Sequence, residues 1–341
     1  MSGPDRFLAE LGGRLLADGL PLAGGALSLA VPHPIIARRT WLWRAQTRAV
    51  IEALSFAGDP SDRPGYRWLA ALGPVQQDTA RPRPDSPDAD NVVLGWAGTR
   101  SFGTAEAHLL REVARFACAP LAALAARAAL AALLEAYLGR RSAARVQAGA
   151  LRRGTGETIR AALLSADLRD FTALSEATEP AAMIAALDAW FDRVAGAVHA
   201  FDGEVLKFIG DGVLAIFPVT ATPAEACTAA LRAVAAARAG MAHLDAVRRA
   251  QGLPPLPFGA ALHLGKMLWG NIGAADRLDF TAIGPAVNLV SRLEGLCRPL
   301  GRSVLISGAV AAAITIPLVP LGEHMLRGIA APCAVFTLPD V

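Results

Sequence analysis

The chain has 341 residues, 53% of them hydrophobic and 18% charged, enough apolar material for about two packed domains, which excludes a disordered chain. A net charge of +3 with no Lys/Arg run among aromatics argues against nucleic acid as a partner. The four cysteines, Cys118, Cys227, Cys297 and Cys333, stand at no metal-ligand or redox spacing, and the acid-bearing N-terminal stretch has no apolar signal core; both predict reduced thiols in a cytoplasmic protein.

Residues 1–103 mix strand-like runs, at 26–31 and 91–96, with a Pro- and Asp-rich stretch at 74–90 that reads as a loop. A helical pattern starts at Thr104 and runs to Leu138; Pro120 should kink or split it, and Gly139 should stop it. Its apolar run 116–138 is interrupted by Arg127 and Glu135, so a buried soluble helix is expected there and no membrane span. Residues 139–157 are basic and Gly-punctuated and read as a connector.

Strands and helices then alternate. Strands are predicted at 161–166, 204–209, 213–217, 258–264, 278–283, 304–306 and 335–338, and helices at 180–200, 223–251 and 287–296. Gly210-Asp211-Gly212 between two strands is a hairpin turn. The alternation argues for helices packed on one sheet, an α/β or α+β sandwich.

Four segments carry chemistry. Asp167 follows an apolar strand directly and precedes the polar turn Leu168-Arg169-Asp170-Phe171-Thr172; a carboxylate at a strand end suits a metal, although an Asp there also serves as a helix cap. Asp211 occupies the hairpin turn, where an Asp needs no function, but Lys207 lies in a strand that reads apolar on both faces. Lysine occurs only at 207 and 266 among 33 basic residues, so each is a site candidate. Gly265, Gly270 and Gly273 around Lys266 indicate backbone that bends or approaches something closely, while His263 nearby reads as structural. Asn288 and Arg292, four apart in a helix that follows Gly284-Pro285, share one face that could hold a ribose or phosphate.

The order Asp167, Lys207, Asp211, Lys266, Thr281, Asn288, Arg292 resembles the class III adenylate/guanylate cyclase catalytic domain over residues 158–339. The resemblance implies an α+β fold with a ferredoxin-like βαββαβ core in 158–341, and a two-ion Mg²⁺ (or Mn²⁺) site at Asp167, Leu168 and Asp211. It implies that Phe171 and Thr172 belong to a turn around the phosphates, and that Lys207 and Thr281 read the purine. Lysine offers a donor to adenine N1, where guanine carries N1–H, so ATP is the expected substrate. Thr281 in place of the commoner Asp resembles the threonine-bearing, class IIIb-like subgroup, which also uses ATP and includes bicarbonate-responsive enzymes. Asn288 would orient the ribose, Arg292 would stabilise charge at the α-phosphate, and Lys266 and Arg327 would contact the terminal phosphates. Because such sites take their aspartates from one protomer and Lys, Thr, Asn and Arg from the other, a C₂ homodimer is implied. Two departures stand out: Ser165 replaces a usual Phe, and Asp170 replaces a common Gly beside the phosphates.

Residues 1–138 look like a small α/β sensory module of the PAS/GAF type, GAF-like, ending in the long helix. They are expected to regulate the cyclase through residues 104–157. A silent nucleotide-binding relative would be free to lose some of Asp167, Asp211, Lys207, Asn288 and Arg292, and all five are present. A diguanylate cyclase would carry a Gly-Gly-(Asp/Glu)-Glu-Phe hairpin, and the turn here is Ile-Gly-Asp-Gly-Val.

Overall fold

The computed structural model describes residues 3–30, 36–56, 65–79, 92–150 and 152–339. It divides into two compact units, Met1–Tyr137 and Leu138–Val341.

The first unit contains α1 (Pro4–Ala17), β1 (Leu22–Ala30), β2 (Ile36–Arg44), β3 (Val50–Phe56), α2 (Tyr66–Ala70), β4 (Val75–Thr79), β5 (Val92–Gly98) and α3 (Thr104–Leu138). Its sheet is antiparallel throughout, in the order β3-β2-β1-β5-β4. Leu8 and Leu15 of α1 and Leu110, Leu121 and Leu124 of α3 pack into one core with Leu27, Trp43 and Trp96, the two indoles meeting edge to face at 6.3 Å. Three expectations change here. The stretch expected to be a loop from 74 contains a strand at Val75–Thr79, because it pairs with β5; the rest of that stretch, 80–90, lies outside the described residues. The long helix runs through Pro120 without a break. Its apolar run is not buried: only 22% of the window Ala119–Leu138 is covered, and by length and composition alone that window could cross a membrane.

The second unit begins with α4 (Arg140–Gln147) and β6 (Gly156–Leu168), followed by α5 (Phe171–Ala177), α6 (Pro180–Ala200), β7 (Glu204–Ile209), β8 (Gly212–Pro218), α7 (Pro223–Ala250) and β9 (Phe258–Gly273). It continues with β10 (Leu278–Ile283), α8 (Pro285–Glu294), β11 (Val304–Ser307), α9 (Gly308–Ala311), β12 (Val319–His324) and β13 (Cys333–Thr337). The sheet runs β12-β13-β11-β9-β6-β8-β7, with β10 paired to β9. Its β6-α6-β7-β8-α7-β9 portion is a βαββαβ core in the spatial order β9-β6-β8-β7.

The central strand shows why the chain packs on both faces. Along β6, Ala162, Leu164, Ala166 and Leu168 point to one side, into a core with Trp190 and Val194 of α6 and Leu231 and Val234 of α7. Ala161 and Leu163 point to the other side, into a core with Val290 and Leu293 of α8. A strand buried on both faces reads as a continuous apolar run, as Ala161–Ala166 does. Ser165 and then Asp167 follow on the α8 side.

The segment expected as a connector contains the helix α4. Glu204, at the start of β7, is 3% exposed, and its Oε1 accepts from the Ser142 N–H and the Ser142 hydroxyl, both at 3.0 Å. The carboxylate thereby caps the first turn of α4, whose own Gly139 provides no side-chain cap. Burial pushes the Glu204 carboxyl above its usual range even though Ser142 and Arg141 pull it down. Replacing Glu204 by Ala should cost about 1–3 kcal/mol, since a buried N–H and hydroxyl lose their acceptor. Denaturant unfolding of the second unit would measure this, and a loss within error of zero would show that α4 is not held by this contact.

Candidate active site

Two carboxylates meet at the end of the β6–β8 ladder. β6 delivers Asp167 one residue beyond the Ala166–Val213 pair, and the β7–β8 turn delivers Asp211. Gly210 takes φ 63°, which the tight turn needs and other L-residues resist. The Leu168 N–H donates to Asp211 Oδ2 at 3.1 Å, and Trp190 Nε1–H donates to the Asp211 carbonyl at 2.8 Å, so both the side chain and the turn are held.

The electrostatics are those of a cation site. Burial first, then a hydrogen bond to Asp211, then the negative charges of Asp211 and Glu294, push Asp167 up to about 7. Its Oδ1 is buried with no hydrogen-bond partner. Two adjoining carboxylates with an orphaned oxygen fit a hard divalent ion, and an all-oxygen donor set suits Mg²⁺ or Mn²⁺. Among the described residues no three His, Cys, Asp or Glu side chains cluster as metal ligands, so the remaining positions would fall to backbone such as Leu168, water and substrate oxygens.

The raised value of Asp167 has a thermodynamic consequence. Its carboxyl binds a proton more tightly folded (about 7) than unfolded (about 3.9), so its environment favours the fold most fully below the unfolded value, and that stabilisation is lost as pH rises through about 7. His263, held down to about 4 by burial, acts with the opposite sign as it moves from neutral to charged in the unfolded chain. The difference between the metal-free protein and Asp167→Asn isolates the first effect. The Tm advantage of Asp167→Asn should grow from about pH 5 to about pH 8 and disappear on adding Mg²⁺ to the parent protein. Melting curves that stay parallel across this range would remove the paired-carboxylate account.

Two residues not singled out from sequence complete the neighbourhood. Arg169, next in the turn, faces Glu294 of α8 with Nη1–Oε1 at 3.7 Å, both largely buried. Gly259, opposite Asp167 in β9, leaves room for them: a Cβ there would meet Arg169 Nη2 at 2.1 Å and Glu294 Oε1 at 2.5 Å. Arg169 thus offsets a third acid behind the aspartate pair. An Arg following the first Asp and a Glu ending the Asn288–Arg292 helix were visible in sequence, but nothing local links residues 125 positions apart.

The two residues expected to read a purine come near each other through Asp279. Lys207 in β7 forms an ion pair with Asp279 of β10, and Thr281, 8% exposed, is two residues along that strand and so on the same face. Between them Phe280 turns to the other face and packs edge to face on Trp269. Lys207 was expected to be buried, but its side chain is 33% exposed, because β7 is the edge of the sheet and its last residues, Phe208 and Ile209, are open.

Asn288 and Arg292 both project from the exposed side of α8, one turn apart, while Ala286, Val290 and Leu293 are buried. Glu294, two residues past Arg292 and therefore about 200° round the helix, faces the aspartates. Arg292 and the aspartate pair of one chain thus lie on different sides of α8. Phe171 and Thr172 open α5 after Asp170, which adopts φ 56°, a conformation that explains the common Gly there and that Asp tolerates. The Asp170 carboxylate is turned outward to Arg298 at 3.1 Å. Lys266 in β9 and Arg327 after β12 are exposed and form no ion pair among the described residues. His263 is structural as expected, its Nδ1 2.9 Å from the Ser307 hydroxyl. Gly270 marks a close approach: a Cβ there would meet the Thr155 carbonyl at 2.2 Å.

This fold and paired-carboxylate site define a nucleotide-cyclase type of domain. The family model described as the adenylate and guanylate cyclase catalytic domain matches residues 156–337, and the chain belongs to that family. Adenylate cyclase 1 of Rhizobium meliloti (strain 1021) is 35% identical over 164 residues, which is 48% of this chain and 25% of that protein. An adenylate cyclase of Anabaena cylindrica is 32% identical over 168 residues, 48% of this chain and 32% of that protein. The match therefore spans a quarter to a third of these relatives. Among solved structures, a bacterial light-regulated adenylyl cyclase shares the fold, with a TM-score of 0.54 at 23% identity over 66% of this chain and 64% of that one. The adenylyl cyclase CyaB from P. aeruginosa gives a TM-score of 0.48 at 28% identity, over 55% of this chain and 97% of that one.

Proposed function

We propose that the chain is an adenylate cyclase, a phosphorus–oxygen lyase that converts ATP to 3′,5′-cyclic AMP and pyrophosphate in a site shared by two copies. The observation that carries this reading is the division of the site by α8. The aspartates and Glu294 lie on one side, Asn288 and Arg292 on the other, so a second copy is needed to bring Arg292 to the aspartates.

In this reading Asp167, Asp211 and the Leu168 carbonyl would hold two Mg²⁺ or Mn²⁺ ions. Bound there, the ions would supply acidification of the ribose 3′-hydroxyl and neutralisation of the triphosphate. The chain's own residues do the rest. Lys207, kept in place by Asp279, donates to adenine N1, and the Thr281 hydroxyl completes the reading of the base edge. Asn288 orients the ribose so that its 3′-oxygen attacks the α-phosphorus in line, and pyrophosphate leaves as the P–O bond to it breaks. Arg292 offsets the charge that grows on the α-phosphate oxygens. Phe171 and Thr172 border the phosphates, with Asp170 kept out by Arg298, and Lys266 and Arg327 neutralise the terminal phosphates. The N-terminal unit would set activity, and cytoplasmic ATP is the expected supply.

The purified chain given ATP or GTP with Mg²⁺ or Mn²⁺ should release metal-dependent cyclic AMP and pyrophosphate in equal amounts. Cyclic GMP as the main product would reverse the assignment of Lys207 and Thr281. Nucleotide binding without any product, with and without bicarbonate, would favour a silent regulator.

A further inference from the structure

α3 carries two apolar faces, and among the described residues only one has a partner. Leu110, Ala114, Ala117, Leu121 and Leu124 enter the core of the first unit. The large apolar residues left exposed on the described helix are Leu109 (42%), Phe116 (75%), Leu130 (57%), Leu133 (39%) and Tyr137 (83%). Positions 109, 116, 130 and 137 are separated by multiples of seven, and 133 lies between the last two. The same seven-residue register takes in the exposed Ala119, Ala123 and Ala126. Written as a heptad, 109, 116, 123, 130 and 137 are a positions, and 112, 119, 126 and 133 are d positions. A straight α-helix drifts away from a 3.5-residue repeat, so a stripe that holds it over about four heptads matches a second, supercoiled helix better than a flat surface.

The other features agree. Alanines in the middle of the stripe let two backbones come close. Glu112, the one charged member, is neutralised by Arg115 at 2.7 Å. Pro120 falls at an e position, off the seam. A bilayer would need the whole circumference of 119–138 to be free, but Leu121 (0% exposed) and Leu124 (6%) are committed to the unit's own core, and two charged residues are exposed, Arg127 at an e position beside the stripe and Glu135 at an f position opposite it.

We propose that α3 pairs in parallel with α3 of a second copy of this chain through the seam Leu109, Phe116, Ala123, Leu130, Leu133 and Tyr137. The proposal deepens the homodimer part of the functional reading, but it stands on α3 and does not depend on the substrate.

The test is disulfide trapping in the full chain. A disulfide needs Cα atoms within about 7 Å, which equivalent seam positions of two parallel helices satisfy. Leu109→Cys and Leu133→Cys should each give several-fold more covalent dimer than the parent chain under mild oxidation. Arg127→Cys and Glu135→Cys, on the same helix but off the seam, should not exceed the parent. Leu130→Glu should lower the mass of the chain in solution toward that of a monomer at low concentration. Trapping that is equal at all four positions, or absent from 109 and 133, would overturn the proposal. So would trapping only between Leu109→Cys and Tyr137→Cys chains, which means antiparallel helices, or sedimentation with phosphatidylglycerol vesicles accompanied by loss of trapping. Cyclic AMP formation without seam trapping would sink the seam and spare the cyclase, whereas trapping with no cyclic AMP would do the reverse.

Discussion

Chains carrying Asp211→Ala and Arg292→Ala, each inactive alone, should regain cyclic AMP synthesis when mixed, at up to about a quarter of the parent output. The figure follows from two-fold symmetry: random exchange makes half the dimers mixed, and each mixed dimer has one intact site and one lacking both groups. Each variant alone should fall by about a thousandfold or more. Arg292→Ala removes a charge that acts at the transition state, so the fall belongs in kcat with KM little changed. Asp211→Ala removes half of the paired carboxylate but leaves the turn anchored, because Trp190 donates to the Asp211 backbone carbonyl. If the aspartates and Arg292 of one chain served the same site, mixing would add nothing. That result would defeat the shared-site reading even with both variants well folded.

Lys207→Glu should reduce kcat/KM for ATP by about a hundredfold or more and raise the relative use of GTP. A site built around a donor rejects a base edge that presents a donor of its own, and exchanging donor for acceptor inverts the preference. The ion partner matters to the interpretation. A glutamate at 207 would face Asp279, so the substitution also introduces repulsion. Lys207→Glu combined with Asp279→Asn removes that repulsion and should show the specificity change with better-retained turnover. Asp279→Asn alone should raise KM for ATP more than it lowers kcat, because Lys207 loses its anchor. An unchanged ATP-to-GTP ratio in the double variant would mean that Lys207 does not read the base.

Much of the site was legible before the fold was known, because its residue types are chemically out of place along the chain. Asp167 ends an apolar run, Asp211 sits in a Gly-Asp-Gly turn, and two lysines stand among arginines. The helix over 180–200, the strand over 278–283 and the Gly-Asp-Gly hairpin were equally legible, since each is written in a local period or turn motif. β9 was read as half its length because its second half carries Gly265, Gly270 and Gly273, which look like breaks. In the sheet, Gly270 is where the β6 and β9 backbones lie against each other.

By itself, the sequence determined the types and order of the candidate groups, the alternation that makes an α+β sheet, and the long helix that starts at Thr104. Tertiary structure alone decided which groups meet. Lys207 finds Asp279 across 72 residues, and it is about one-third exposed because β7 ends the sheet. Glu294 and Arg169 come together behind the aspartates over Gly259, and Asp170 turns out to Arg298. The two faces of α3 part in the same way: both are apolar in sequence, and only the packing of Leu110 and Leu121 on the sheet shows which one is left free. The physical reason is the same throughout. Side-chain periodicity records the local backbone, whereas pairing, burial and the direction of a charge depend on residues far away in the chain, which no local pattern encodes.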